Sequence, residues 1–257
     1  MEFSVDTLKV LVFENRALAG ERAAADAAAA IGEMLGEKET LNMIFGAAPS
    51  QEDFFRALLR QDIPWRRINA YHMDEYIGIS PALPQGFGNF LQRKLFGLAG
   101  FRSVNLLRPD AEDTDAEMLR YETLLKQNKP DIVCLGIGEN GHIAFNDPPA
   151  DFQDPRWVKR VELDLACRRQ QVNDGCFASL EEVPTHAMTL TVPALYSGAR
   201  LFCIVPAKSK AEAVRRTLQE EISESCPASI LRRHPRCILY LDPDSASRLN
   251  LEERRHE

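Results

Sequence analysis

The stretch that most restricts the fold is DIVCLGI (131–137), an almost uniformly apolar run followed by a polar loop bearing several glycines. A strand with no polar alternation has both faces covered, which is the situation inside a parallel sheet lying between helices. Further short apolar runs occur at 41–46 (LNMIFG), 67–73 (RINAYHM), 103–107 (SVNLL), 188–192 (MTLTV), 200–205 (RLFCIV) and 237–242 (CILYLD). Between them lie helical stretches. Residues 16–37 are Ala-rich, full of strong helix formers, and end near Gly36. Ser50 is placed to cap a helix over 51–60, with Glu52 and Asp53 in its favourable first turn. Helices are also expected over 88–96, 113–127 and 209–220. This alternation predicts βαβ units and a doubly wound, mostly parallel α/β sheet. No repeat, linker or charge block divides the sequence, so one domain over 1–257 is expected.

Composition removes several function classes. With 45% hydrophobic and 27% charged residues, the chain is neither disordered nor of low complexity. Its net charge of -7 argues against nucleic acid as a partner, because such proteins carry a basic face. No apolar run approaches the ~20 residues of a membrane span, and no secretory signal is evident. The six cysteines form no CxxC pair, and most sit among apolar neighbours, as in LFCIV around Cys203. They read as reduced core thiols of a cytoplasmic protein without a metal centre.

In an open α/β sheet, ligands sit beyond the carboxyl ends of the strands. Polar clusters stand at those places. The loop GENGHIAFNDP (138–148) frees the backbone at Gly138 and Gly141 and delivers Asn140, His142 and Asp147 within a few residues. His142 is suited to proton exchange near neutral pH, with Asp147 close enough to orient its ring. By itself, this loop reads equally as turn formers around a hydrogen-bonded histidine. In YHMDEYIGI (71–79), adjacent Asp74 and Glu75 repel, which raises one pKa toward that of a general base; a solvated acidic turn is the alternative. His72 lies deeper in the strand and is read as structural. The turn FGAAPSQEDF (45–54) offers Gly46, Ala47 and Ser50 ahead of a helix start, as an anion cradle or merely a capped helix. Lys210 at the next helix start, and Arg168 and Arg169, are cations that either meet a phosphate or stay solvated.

Taken together, MDEY (73–76) followed by GENGHIAFNDP resembles the glucosamine-6-phosphate deaminase and 6-phosphogluconolactonase family. The likeness runs from about 41 to 244 and includes VPTHAMTLTV (183–192) and the lysine turn before AEAV. Ile143, Ala144, Phe145 and Asn146 favour the deaminase branch over the lactonases, which read differently after the glycine turn. The resemblance implies a three-layer, Rossmann-like fold of the kind shared by sugar-phosphate isomerases and CoA-transferase-like proteins. It also implies conversion of glucosamine 6-phosphate and water to fructose 6-phosphate and ammonium, with no metal or organic cofactor. Galactosamine 6-phosphate, lactone hydrolysis and a non-catalytic sugar-phosphate sensor are the alternatives, in that order. The matched positions imply Asp74 as the base moving a proton between C2 and C1, and His142 as the group assisting ring opening. Asp147 and Asn140 match its tuning partners, Lys210 and the 46–51 loop match the phosphate contacts, and Glu75, Gly138 and Gly141 are expected among the substrate-binding residues.

Departures from the family pattern concern mostly the substrate. Gly46-Ala47-Ala48-Pro49-Ser50 replaces a Gly-Gly-Thr-Pro turn. Asp147 stands where a glutamate is usual, and Asn140 where some members carry aspartate. The family's phosphate-binding arginine has no match in VNDGCF (172–177), leaving Arg168 or Arg169 as substitutes. Ala150 and Asp151 occupy positions where allosteric members hold an amino-sugar phosphate, so activation by N-acetylglucosamine 6-phosphate is not expected. The 150–180 region is expected to supply a lid. A homo-oligomer is possible on this reading, and the partner is a small sugar phosphate.

Overall fold

The computed structural model describes residues 1–250; the remainder of the expected 1–257 domain lies outside the described residues. The chain opens with two edge strands, β1 (Glu2–Val5) and β2 (Leu8–Val12), and then the long helix α1 (Arg16–Leu35). Next come β3 (Leu41–Phe45), α2 (Glu52–Leu58), β4 (Ile68–His72), the short β5 (Asp74–Tyr76), α3 (Phe87–Leu91), β6 (Ser103–Asn105) and α4 (Thr114–Gln127). The second half runs through β7 (Ile132–Leu135), β8 (Val158–Glu162), α5 (Leu165–Asn173), β9 (His186–Leu190), α6 (Val192–Tyr196), β10 (Arg200–Val205), α7 (Ala211–Gln219) and β11 (Cys237–Leu241).

Eight strands form one sheet in the order β1-β2-β11-β10-β7-β3-β4-β6, parallel throughout except for the β1–β2 pair. From β3 the chain steps outward through β4 and β6, returns to β7 on the other flank of β3, and then steps outward again through β10 and β11. The winding therefore reverses between β3 and β7, and the loops leaving their carboxyl ends diverge to open a crevice there. The core strands are apolar because both faces are covered. On one side, the small residues of α1 (Ala19, Ala23, Ala24, Ala27, Ala30) and Phe54, Phe55 and Leu91 pack over Met43, Phe45 and Cys134. On the other, α4, α6 and α7 cover Ile44, Val133, Leu135 and Cys203.

The expected three-layer α/β sheet is the fold observed. Element ends moved by a few residues where caps decided them: Asn15 accepts from the Leu18 N–H at the start of α1, and Asp113 from the Ala116 N–H at the start of α4. Two features exceed the expectation. The β1–β2 hairpin extends the sheet at one edge. A separate antiparallel sheet, β5-β9-β8, stands over the carboxyl ends of the main strands. The 150–180 region expected to supply a lid contributes β8 to this small sheet and α5 to the rim of the crevice.

Candidate active site

The crevice is floored by the loops after β3 and β7. Asp74 stands in one wall, fixed because β5 pairs through Asp74–Thr189 with β9. Its carboxyl is only 6% exposed and accepts no hydrogen bond among the described residues. Burial, and then the charge of Glu75, push it well above the ordinary carboxylate range. Glu75 points the other way, outside the crevice. Its oxygens accept the N–H groups of Tyr76 (2.9 Å), Phe87 (3.0 Å) and Gly88 (2.8 Å). Burial raises it to about 7 despite those bonds. Glu75 therefore anchors the α3 start and presses electrostatically on Asp74; it does not face the ligand.

The opposite wall is the 136–147 loop. His142 Nδ1 lies 3.0 Å from Asp147 Oδ1. Asn140 braces both, donating from Nδ2 to Asp147 Oδ1 (2.9 Å) and accepting the His142 N–H at 3.0 Å. Burial pushes Asp147 up, but the bond and charge of His142 and the amide of Asn140 hold it below the usual carboxylate value. An ionised Asp147 only accepts, so the Nδ1 hydrogen is directed to it and the other ring nitrogen is left for the ligand. The ring lies flat on Gly138: a Cβ there would sit 2.2 Å from His142 Nε2. Gly141 takes φ +92°, the left-handed region that favours glycine, and Ala144 in the crevice wall is held at φ +48° without that excuse. Phe145 N–H bonds Thr189 Oγ1 at 3.0 Å and so ties this loop to the small sheet that carries Asp74.

At the far end, Gly46, Ala47 and Ser50 line the crevice as expected, together with Lys210. Lys210 is 5% exposed, yet its ammonium makes no hydrogen bond or ion pair among the described residues. Burial lowers its pKa, while Asp174 and Glu139 push it back up. A buried lysine without a partner is costly unless something negative arrives. Gln51 Nε2 is held by the Ile204 carbonyl at 2.9 Å, whereas its Oε1 is buried without a partner.

Some predicted residues are not brought together. Arg168 turns away and donates to the carbonyls of Leu180 (2.6 Å) and Val183 (2.9 Å), stitching α5 to the following loop. Arg169 is exposed and outside the crevice. Gly141 shapes the loop from behind, against Cys226. Ala150 is buried, and Asp151 accepts the Gln153 N–H at 2.7 Å in a local turn. His72 is wholly buried, its Nε2 accepts the Leu107 N–H at 2.7 Å, and burial drops its pKa to about 3, so its structural reading holds. Missed in the sequence were Gln170, Gln171 and Asp174 of α5 and its cap, which line the crevice. Their weakly patterned helix gave no signal. One set of residues, His142, Asp147 and Cys167, gathers metal-binding atom types within 4.8 Å. The Cys167 thiol, however, is pushed up by burial and then by Asp147, Asp164 and Asp74, so its proton opposes ligation.

The sequence model described as glucosamine-6-phosphate isomerases/6-phosphogluconolactonase matches residues 14–239. A Listeria monocytogenes protein named glucosamine-6-phosphate deaminase is 31% identical over 242 residues, covering 94% of this chain and 100% of the relative. A Bacillus cereus protein of the same name is 34% identical over 211 residues, covering 82% and 78%. Among solved structures, a monomeric glucosamine-6-phosphate deaminase superposes with a TM-score of 0.84 at 30% identity, covering 93% of this chain and 98% of that one. A Thermotoga maritima 6-phosphogluconolactonase gives 0.76 at 16% identity, covering 91% and 99%, which is a likeness of fold alone.

Proposed function

Because the chain belongs to the glucosamine-6-phosphate isomerase and 6-phosphogluconolactonase family, we propose that it converts glucosamine 6-phosphate and water to fructose 6-phosphate and ammonium. The observation that carries this reading is one crevice with three separated tools. A buried carboxylate (Asp74) following β4, an oriented imidazole (His142) following β7 and a partnerless buried ammonium (Lys210) following β10 line the same crevice.

The chemistry follows from that spacing of roles. Lys210 and the 46–50 turn hold the phosphate, which fixes the sugar lengthwise. His142, steered by Asp147 and Asn140, moves the proton that opening the pyranose requires, giving a free C1 aldehyde. The aldehyde acidifies the C2 hydrogen. Asp74 takes that proton while the C1 oxygen gains one from the substrate's own ammonium group, leaving an enolamine with a hydroxyl on C1 and a neutral amine on C2. Returning the proton to C1 gives a C2 iminium; water adds at C2 and ammonia leaves, yielding the ketose. Burial suits Asp74 to this task, because a carboxylate lifted toward neutral pH is a stronger base than a solvated one. Glu75 contributes by raising Asp74 further.

The test is turnover by the purified chain of glucosamine 6-phosphate, galactosamine 6-phosphate and 6-phosphogluconolactone, side by side. Ammonium release from glucosamine 6-phosphate is the expected result. Turnover of the galactosamine ester alone would move the substrate to its C4 epimer. Lactone hydrolysis without ammonium release would refute the deaminase reading.

A further inference from the structure

Helix α5 flanks the crevice from its ring-opening end to its anion end. Near its start, Cys167 Sγ lies within 4.8 Å of ligand atoms of His142 and Asp147. At its close, Asp174 is the charge that acts most on Lys210. Positions 167, 170, 171 and 174 fall on one helical face, and Gln170, Gln171 and Asp174 line the crevice. Gln171 stands between the two ends, ~6 Å along the axis from Cys167 and ~4.5 Å from Asp174. The other polar side chains of the crevice have work already. Asp74, His142 and Lys210 carry the reaction, and Ser50 belongs to the turn that receives the phosphate. Gln51 Nε2 donates to the Ile204 carbonyl at 2.9 Å. Gln170 accepts the Glu139 N–H at 3.0 Å and donates to Asp174 at 3.3 Å. Gln171 alone is left over. It is 6% exposed, and its amide makes no hydrogen bond among the described residues. Unlike Gln51 Oε1, that amide is not sealed away from accessible space. A buried amide without a partner is costly until a ligand supplies one.

We propose that Gln171 receives the 3- and 4-hydroxyls of the sugar and thereby makes the crevice sensitive to configuration at C4. The inference rests on the sugar-phosphate reading above and deepens it. Asp74 serves C1 and C2, His142 the ring oxygen and Lys210 the phosphate, which leaves the edge bearing those two hydroxyls without a partner. A carboxamide suits such a vicinal pair, because Oε1 accepts from one hydroxyl while Nε2 donates to the next. Inverting C4 swings its hydroxyl away and keeps the 3-hydroxyl, so one of the two bonds is lost. A buried amide discriminates more sharply here than an apolar wall, since the missing bond leaves polar atoms unpaired.

The test uses the whole chain and esters that lack the amine, so binding is read without deamination. Glucose 6-phosphate, its C4 epimer galactose 6-phosphate and 4-deoxyglucose 6-phosphate are titrated by calorimetry into wild type, Gln171→Met and Gln171→Ala. Wild type should bind the gluco ester about tenfold more tightly than the galacto and 4-deoxy esters. Both variants should weaken the gluco ester about tenfold and leave the 4-deoxy ester within about twofold, so the epimer ratio falls toward one. The amide holds no protein group, so neither substitution strands one and both variants should melt near wild type. Asp174→Asn is the neighbouring control and should shift all three esters by the same factor. A loss shared equally by the three esters in the Gln171 variants marks a merely structural residue and would overturn the proposal. So would a wild type that binds none of them or ignores C4, or discrimination erased by Asp174→Asn and not by the Gln171 variants. A galacto preference that the Gln171 variants erase keeps the role of Gln171 and moves the substrate to the C4 epimer. A chain with the predicted ratios that releases no ammonium from glucosamine 6-phosphate loses the deaminase reading and keeps this one. A deaminase whose epimer ratio ignores Gln171 loses only this one.

Discussion

Replacing Gly138 by alanine probes the site at its tightest contact. The added methyl would lie 2.2 Å from both Nε2 and Cε1 of His142 and 2.4 Å from Cδ2, whereas ordinary contact begins near 3.4 Å. The imidazole must retreat by about 1 Å, since the methyl is fixed to backbone that Gly138 N–H and the His142 carbonyl tie together at 2.9 Å. A retreat of that size stretches or turns the 3.0 Å contact with Asp147 beyond hydrogen-bond geometry. Misplacing a catalytic group by about 1 Å costs roughly 10²-fold in rate, or about 2.7 kcal/mol of barrier. We therefore expect Gly138→Ala to lower kcat for glucosamine 6-phosphate about 100-fold, read as ammonium released. The loss should shrink for an analogue that cannot close its pyranose, because ring opening is the step assigned to His142. Gly100→Ala, where the methyl meets nothing within 4 Å, is the control and should leave kcat unchanged. A kcat for Gly138→Ala within a few-fold of wild type would refute the reasoning. So would equal losses on cyclic and open-chain compounds.

Three further outcomes are expected. Lys210→Met keeps the apolar stem and removes the charge, so KM should rise about 10–100-fold with kcat nearly unchanged, in steady-state kinetics; a fall in kcat alone would count against the phosphate role. Asp74 must be ionised to act, and its pKa is raised, so activity falls as pH drops through a value above the ordinary carboxylate range. Glu75→Gln removes the second of the two causes and should move that acidic limb of the kcat/KM profile downward, at a cost of about 1–3 kcal/mol in stability for the N–H groups it leaves badly matched. Asn15→Ala deletes the α1 cap, which does not itself line the crevice, and should cost ~1 kcal/mol, lowering Tm by about 2–4 °C in a thermal melt with kcat little changed.

The parallel core was legible because β7, and β10 after Arg200, are buried on both faces and so read as unbroken apolar runs, with β3 interrupted only at Asn42. The edge hairpin was not. Glu2–Val5 alternates between exposed and half-buried positions and becomes a strand only by pairing with Leu8–Val12. The three residues Asp74–Tyr76 look like a polar strand end; their strand character comes from β9, more than a hundred residues later. The His142 loop was readable because its chemistry is packed into ten residues. The anion end was only partly so. Its lysine followed a strand, but Asp174 and the two glutamines come from a short helix whose amphipathic pattern is faint. Arg168 and Arg169 were plausible by charge alone, and no local pattern reveals that Arg168 is consumed by two carbonyls. Ala144 at φ +48° is likewise a product of the folded loop, held there by Asn146 and Thr189 on either side of its neighbours.

The central claim is that Asp74 is the base of a deaminating isomerase. It is tested most directly by measuring ammonium and fructose 6-phosphate together, for wild type and Asp74→Asn, alongside calorimetric binding of glucosamine 6-phosphate. The account predicts equal yields of the two products from wild type. It predicts a kcat loss of about 10²–10⁴-fold in Asp74→Asn with binding retained. Because folding forces a raised-pKa carboxylate to ionise in a dry site, the variant should also melt no lower than wild type above neutral pH. A silent wild type, or an Asp74→Asn variant that still releases ammonium at the wild-type rate, would contradict it.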